Sequence, residues 1–447
     1  MKNMANHKLI QSILPGCLAL VLLSGCYKYK DAPQLSSPAY LRVFNSIPSQ
    51  VNALTASQQH FLCFLFDPTF DASGAPAGGA VVGDWLQTRE LYSLSYPIDA
   101  GTALNAGNGS SAGVGGAVNY VTNANYEYPG KMHVLTAPPM NGLDLSSWAQ
   151  VPSGKHRLVF VVRPQSNTPF GELGSSLRRS ILIDTTVNLT AGEVYTLDAV
   201  ITNPDSNYFG AYIRKEQFIH QAFDTGRLYA AFYNLSGKPS FLSSNFNYPD
   251  FWNYPDTLAV NYTYRVYDDL ISPVTQNGGN DAAPARPLPG SNNVYFGTVI
   301  RGRDDLSAYA ALPFLSRSYF FNQKSILRTY WENNSNTGTG TLPFVAFNFL
   351  SSNPQQAQFG YGSFPTLLCT ADPATFNTFD PDAVNNSLAD VALGSQYPGL
   401  YVYQPNLNLV VQSAGAVNIV PTINLFEIIY NRIYLMQIQR EFVKVPQ

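Results

Sequence analysis

The sequence is short of charge. Its 447 residues carry 26 Lys+Arg and 29 Asp+Glu, 12% of the chain, about half the roughly 25% usual for soluble domains. The formal net charge is −3, so there is no basic footprint, and nucleic acid is excluded as a partner class. Cysteine is scarce, at four residues with no CxxC pair and no Cys/His cluster, which removes the sequence basis for a metal site. Histidine numbers five, none in an HExxH spacing or an HxH pair. Long helical patterns with capping residues are few. No apolar run approaches the roughly 20 residues that a membrane-spanning helix needs.

What is present is apolar, aromatic and rich in turn formers. Hydrophobic residues make up 45%, too many for a disordered chain. Aromatics reach 13%, with 28 Tyr, beside 33 Gly and 31 Pro. At about 100–200 residues per domain, the length accommodates two or three domains. Few charges with many Tyr, Phe, Gly and Pro point to β structure with long turns.

The N-terminus reads as an export signal. Lys2 and Lys8 precede an apolar stretch, Leu9 to Leu23, interrupted by Gln11 and Pro15. It ends in Leu23-Ser24-Gly25-Cys26, which resembles the lipobox of bacterial lipoprotein signal peptides. The resemblance implies that Cys26 accepts a diacylglycerol and becomes the first mature residue, and that two or three acyl chains then hold the protein to a membrane. Residues 1–25 form the signal peptide, and residues 26–38, with Lys28, Lys30, Asp31 and a Pro/Ser-rich continuation, form a tether. The charges after Cys26 resemble, weakly, surface-export signals of Bacteroidota lipoproteins, so an outer-membrane, surface-exposed location is expected. Loss of the signal peptide removes two Lys and brings the net charge to about −5. Cys63 and Cys369 both lie in apolar runs. A disulfide between them and two separate buried thiols are both open, the second being favoured.

Short alternating runs fill the rest of the chain. Tyr40–Phe44, His60–Phe66, Lys155–Arg163, Ile181–Ile183 and Val194–Val200 read as strands, separated by turns such as Pro152-Ser153-Gly154 and Thr190-Ala191-Gly192-Glu193. Arg227–Asn234 looks like Tyr40–Asn45 again and opens a second set, with Leu258–Tyr267, Val294–Arg301, Ser318–Trp331 and Phe344–Leu350. Arg432–Arg440 fits a closing strand, although Leu425–Tyr434 also fits a short helix. Ala100–Gly116 and Gln276–Asn293 read as long loops. The expected fold is all-β, with a first β-sandwich domain over 39–220 and a second over 221–447.

Two features carry a family resemblance. Ala39–Asn45 opens a domain, and Pro152–Leu158 is followed after a gap by Val187–Leu197. They resemble the opening and paired closing strands of immunoglobulin-like lipoproteins of Bacteroidota, a domain-of-unknown-function family. The resemblance covers residues 39–203 and weakens from 227 onward. It implies tandem immunoglobulin-like sandwiches on a lipid anchor, and no catalytic residues.

Motifs with chemical meaning are few. Gly109-Ser110-Ser111-Ala112-Gly113 matches GxSxG but has Gly/Ala/Asn flanks instead of the strand and helix of a nucleophile elbow, so it reads as loop. His60, His133, His156 and His220 read as structural or surface residues. Asp268-Asp269 and Asp304-Asp305 face opposite ways on a strand. Asp67–Gly74 lacks EF-hand ligand spacing and reads as a turn. Asp184-Thr185-Thr186 and Asp256-Thr257-Leu258 resemble Bacteroidota O-glycosylation acceptors. The strongest candidate is the repeated Asn-Tyr-Pro-Asp of residues 247–256. Tyr248, Trp252 and Tyr254 on a Pro-stiffened loop offer faces for sugar rings, with Asn247 and Asn253 for hydroxyls; the competing reading has these rings cap the second sandwich.

The reading that results is a non-enzymatic cell-envelope lipoprotein without a cofactor, a binding or adhesion module with glycan as leading ligand. Its membrane contact is the Cys26 anchor. The alternative is a structural surface subunit. Fimbrillin-like lipoproteins of the same phylum mature by cleavage after an Arg, and the nearest one, Arg42, falls inside a predicted core strand.

Overall fold

In the computed structural model the chain groups into two compact units, Met1–Ser36 and Ser37–Gln447. The structure describes residues 35–47, 61–89, 127–130, 132–203, 208–224, 227–235, 257–266, 286–287, 290, 294–302, 310–316, 344–351, 366–370, 401–404, 408–413, 416–429 and 432–440. Among these, every regular element is a strand except two 3-10 turns, Phe170–Glu172 and Ser175–Arg178. The fold class is all-β, as the composition predicts. Arg432–Gln439 is a strand, which resolves the choice between strand and helix near the C-terminus.

The first half of the chain builds two sheets. One centres on β1 (Pro38–Asn45), which pairs antiparallel with β4 (Glu127–Tyr128) and β5 (Ala149–Pro152) on one side and parallel with β8 (Val194–Asn203) on the other; β9 (Tyr208–Lys215) extends it beyond β8. The other has the order β3 (Pro76–Leu86), β2 (Phe61–Phe70), β6 (Gly154–Arg163), β7 (Ile181–Leu189), all antiparallel. The chain passes from the first sheet to the second between Pro152 and Gly154. Gly154 has φ 117°, a conformation closed to other residues, so the predicted turn there is a corner between sheets.

The second half repeats the plan. β10 (Arg227–Asn234) pairs parallel with β19 (Ala416–Ile429) and antiparallel with β14 (Ala310–Ser316), while β18 (Asn408–Ser413) and β20 (Arg432–Gln439) flank β19. A further sheet runs β12 (Arg286–Pro287), β11 (Thr257–Val266), β15 (Phe344–Ser351), β16 (Thr366–Thr370), β17 (Tyr401–Gln404), with β13 (Val294–Ile300) also on β11. The short β12 falls inside the stretch expected to be a loop. The expected boundary after residue 220 falls in the connection between β9 and β10.

Layering follows from alternation. β7 keeps an exposed/buried alternation because one of its faces meets solvent. β1 does not, because both its faces are covered. Leu41 and Val43 join Leu62, Phe64, Phe66, Leu158 and Phe160 in the core between the first two sheets. Tyr40 and Phe44 face the other way, against Tyr229, Tyr233, Ile423, Leu425, Tyr434 and Met436 of the second half. The middle two sheets therefore stack on each other. Behind them, Phe232 packs on Phe426, Phe347 and Phe296 in the second half.

The pairing differs from the expectation in one respect. The Val194 run pairs with the opening strand and with β9, while Lys155–Val161 pairs with Ile181–Asn188. The Asp184-Thr185-Thr186 segment continues Ile181–Ile183 into one strand, β7, with Asp184 opposite Val159 and Thr185 opposite Leu158.

Candidate functional site

The residues singled out for ligand binding, Asn247, Tyr248, Trp252, Asn253 and Tyr254, lie outside the described residues, as do Cys26, the GxSxG match, the 100–116 tract, His60, and the Asp268-Asp269 and Asp304-Asp305 pairs. In the sequence, the aromatic stretch falls between the end of β10 and the start of β11.

The other early candidates resolve into structural roles. One Asp71 carboxylate oxygen, Oδ1, accepts bonds from the Ser73 hydroxyl and the Ser73 and Ala75 amides; the other, Oδ2, accepts from Ser175 and Arg178. The Ser73 and Ser175 bonds hold its pKa well below the usual carboxylate range. A guanidinium and local donors thus occupy the carboxylate that a calcium loop would need; Asp67–Phe70 end β2, and the turn itself is Asp71–Gly74. His156 Nδ1 donates to Asp67 Oδ2 at 2.7 Å, and its ring lies tilted over Phe66 at 4.3 Å between centroids. His220 and Lys215 both meet Glu193, at 2.8 and 2.9 Å. Burial pushes the Glu193 carboxyl up, but the hydrogen bonds from His220 and Lys215 outweigh it and hold the carboxyl below its ordinary value. Cys63 is a free, buried thiol whose pKa burial drives up, so it is packing material and not a nucleophile. Among the described residues, no group of three or more His, Cys, Asp or Glu is placed to hold a metal ion. No helix there is long and apolar enough to cross a membrane.

The densest polar constellation is the junction between the halves. Arg42 lies on β1, Asp198 on β8 and Arg214 on β9, all on the face that β10 and β19 cover. Arg42 Nε donates to Glu127 at 2.5 Å, and its guanidinium lies 5.0 Å from the Trp148 ring centroid. Arg89 Nη1 stands between two carboxylates, 3.3 Å from Asp198 and 2.5 Å from Glu427 of β19, with its guanidinium 3.8 Å over the Phe44 ring. Arg214 donates twice to Glu216, at 3.0 and 2.8 Å, and its Nη1 lies 2.7 Å from Glu427. The Arg214 guanidinium stacks 4.6 Å from the Tyr233 ring. Ser46 donates to Asp198 at 2.7 Å and Thr196 to Glu216 at 2.6 Å.

Equivalent positions meet here. Phe44 pairs in register with Asp198 in the first half, and Tyr233 with Glu427 in the second. Each half thus presents an aromatic ring beside a carboxylate on parallel strands, and a guanidinium covers each ring. The charged side chains named above are 0–4% exposed. Burial works against the Arg214 charge, but Glu216 and Glu427 outweigh it and hold its pKa well above the ordinary. Burial likewise disfavours the Glu427 carboxylate, but Arg89 and Arg214 prevail and hold it below the usual range. Asp198 goes the other way: burial first, and the Glu427 charge second, push it up to about 6.

Chemically, the arrangement is a dry clasp. Substrate has no route to side chains this covered, but the geometry fixes how the halves meet, since a shifted contact would strand buried charges. Sequence reasoning named Arg42 only as a misplaced cleavage candidate and missed the rest. The signal was there: Arg42, Asp198 and Glu427 are single charges at alternate positions inside apolar strands, YLRVF, YTLDAV and INLFEII. Such a charge on a strand reads as an error unless a partner sheet carries its complement. Arg42 has its guanidinium paired and its strand hydrogen-bonded on both sides, so a protease would have to strip β1 from the sheet to reach it. No protein-family model matches the chain, and no curated protein matches it.

Proposed function

We propose that this chain is a lipid-anchored protein of the bacterial cell envelope, built on tandem immunoglobulin-like β-sandwiches, that acts as a non-catalytic binding or adhesion module with glycan as its leading ligand class. The observation that supports this best is the clasp. It makes two stacked all-β halves into a common scaffold, and a long connection between β10 and β11 carries the repeated Asn-Tyr-Pro-Asp with its aromatic residues. Recognition loops held on rigid sheets are a common design for binding proteins. The outer-membrane location rests on the lipobox-like Leu23–Cys26 and the tether after it.

Two experiments test the two parts. Cys26→Ser should abolish lipid labelling and release the protein from the membrane fraction; unchanged labelling and retention would remove the lipoprotein reading. For the ligand, a glycan-array screen with the parent protein should give binding that Trp252→Ala weakens, while the thermal melt of that variant stays near the parent's, as for surface rings generally. If the melt instead drops by the amount of a core truncation, about 3–5 kcal/mol, and the array stays blank, Trp252 is a cap of the second half and the glycan reading fails.

A further inference from the structure

Among the described residues, the clasp contains one carboxylate more than it has guanidinium groups. The first half supplies Arg42, Arg89 and Arg214 against Glu127, Asp198 and Glu216, a balanced set. The second half adds Glu427, which enters between Arg89 and Arg214. We infer that closing the junction takes up a proton at Asp198, so that the two halves are held together more firmly in mildly acidic surroundings than in mildly alkaline ones.

The surroundings of Asp198 single it out as the proton's site. From its own sheet it faces Arg42 of β1, itself committed to Glu127, and Arg214 of β9, itself committed to Glu216. Arg89 and the Ser46 hydroxyl reach it from the chain beyond β3 and β1. Across the junction it faces Glu427 of β19, with the rings of Tyr233 and Tyr434 beside the two arginines. Glu427 is met by two guanidinium groups at 2.5 and 2.7 Å. Asp198 has one, at 3.3 Å, and shares it with Glu427. When one of these carboxyls must be neutral, the less compensated is Asp198. Its elevation to about 6 by burial and by the Glu427 charge agrees with this.

The direction follows. An aspartate whose pKa is higher in the folded protein than in the unfolded chain binds its proton more tightly when folded. The stabilisation is complete below the unfolded value, near 3.8, and is lost as pH rises through about 6. Glu427 runs oppositely, its contribution being present above its ordinary 4.5 and lost as pH falls through its lower folded value. Between pH 5 and 7.5, therefore, Asp198 sets the trend within the clasp.

Urea unfolding of the full chain at pH 5 and at pH 7.5 tests the inference. From a folded value near 6, the unfolding constant should be about tenfold smaller at pH 5 through Asp198 alone. Asp198→Asn keeps an acceptor for Ser46 and should lose that tenfold gain. Groups common to parent and variant cancel in the comparison. Glu427→Gln, which removes the charge brought by the second half but leaves Asp198 buried, should lose part of the gain. An Asp198→Asn protein with the parent's pH dependence overturns the inference. Should that variant not fold, Glu427→Gln with the parent's full pH dependence overturns it equally. Should neither fold, the parent's infrared spectrum decides: a protonated-carboxyl band present at pH 5 and lost by pH 7.5 is expected, and its absence at pH 5 rules the proton out.

Discussion

Arg214→Ala is expected to cost about 3–5 kcal/mol of folding stability, the range found when one partner of a buried ion pair is removed. The side chain is 1% exposed and holds Glu216 and Glu427 together. Truncation leaves both carboxylates buried, takes away the cation over Tyr233, and widens the surplus of acid in the clasp. Against a typical total of about 5–15 kcal/mol, this brings the protein close to unfolding at physiological temperature. Urea titration of the parent and the variant measures it. A loss below about 1 kcal/mol would mean that water reaches the site and the clasp is not dry. Arg214→Lys should recover little, because a single ammonium cannot keep two bonds to Glu216 while reaching Glu427.

Phe232→Ala should cost a similar amount, about 3–5 kcal/mol, for a different reason. Phe232 is 2% exposed and its ring lies 5.0 Å from those of Phe347 and Phe426 and 5.7 Å from that of Phe296. Three rings around a void cannot collapse without leaving their packing, so most of the cavity would persist. Phe232→Leu keeps much of the volume and should lose only about 1 kcal/mol. Thermal melts of the two variants distinguish a packed aromatic core from a loose one. Equal melting temperatures for the Ala and Leu variants would contradict the packing described here. Because the clasp joins the halves, the melt of Phe232→Ala should remain a single shifted transition.

How far the sequence could be read depended on what kind of neighbour each strand has. Arg227–Asn234 was legible to the residue because apolar β-formers end at an Asn followed by loop composition. The run Phe61–Phe66 was legible as buried. The strand β3 was not: its three glycines and two valines give weak alternation, and it is held by pairing with β2, close enough that a Cβ on Gly79 would lie 2.6 Å from the Phe66 carbonyl oxygen. The parallel pairing of β1 with β8 was illegible for another reason. Parallel partners are set by long-range topology, and nothing local in Tyr40–Asn45 specifies Val194–Ala199. The clasp was hidden for the same cause. A charge in an apolar strand is informative only when its complement is known, and the complements of Glu427 come from residues 89 and 214. The expected aromatic binding loop and the Cys26 anchor rest on local sequence alone.

The order in which strands meet has a consequence for how the molecule comes into being. β1 is made long before its parallel partner, which begins at Val194, and β10 waits for Ile423. These separations, about 150 and 190 residues, put the protein among high-contact-order topologies, whose folding is slow. At about 5–20 residues per second of synthesis, the opening strand of each half spends many seconds with an unpaired edge and bare aromatic faces. Each half therefore stays open to capture by chaperones until the parallel partner of its opening strand is made, β8 for the first and β19 for the second. A chain ending before Arg432 would keep β10 and β19 but lack the strand that carries Tyr434 and Met436, leaving part of the apolar face of the first half uncovered and prone to aggregation.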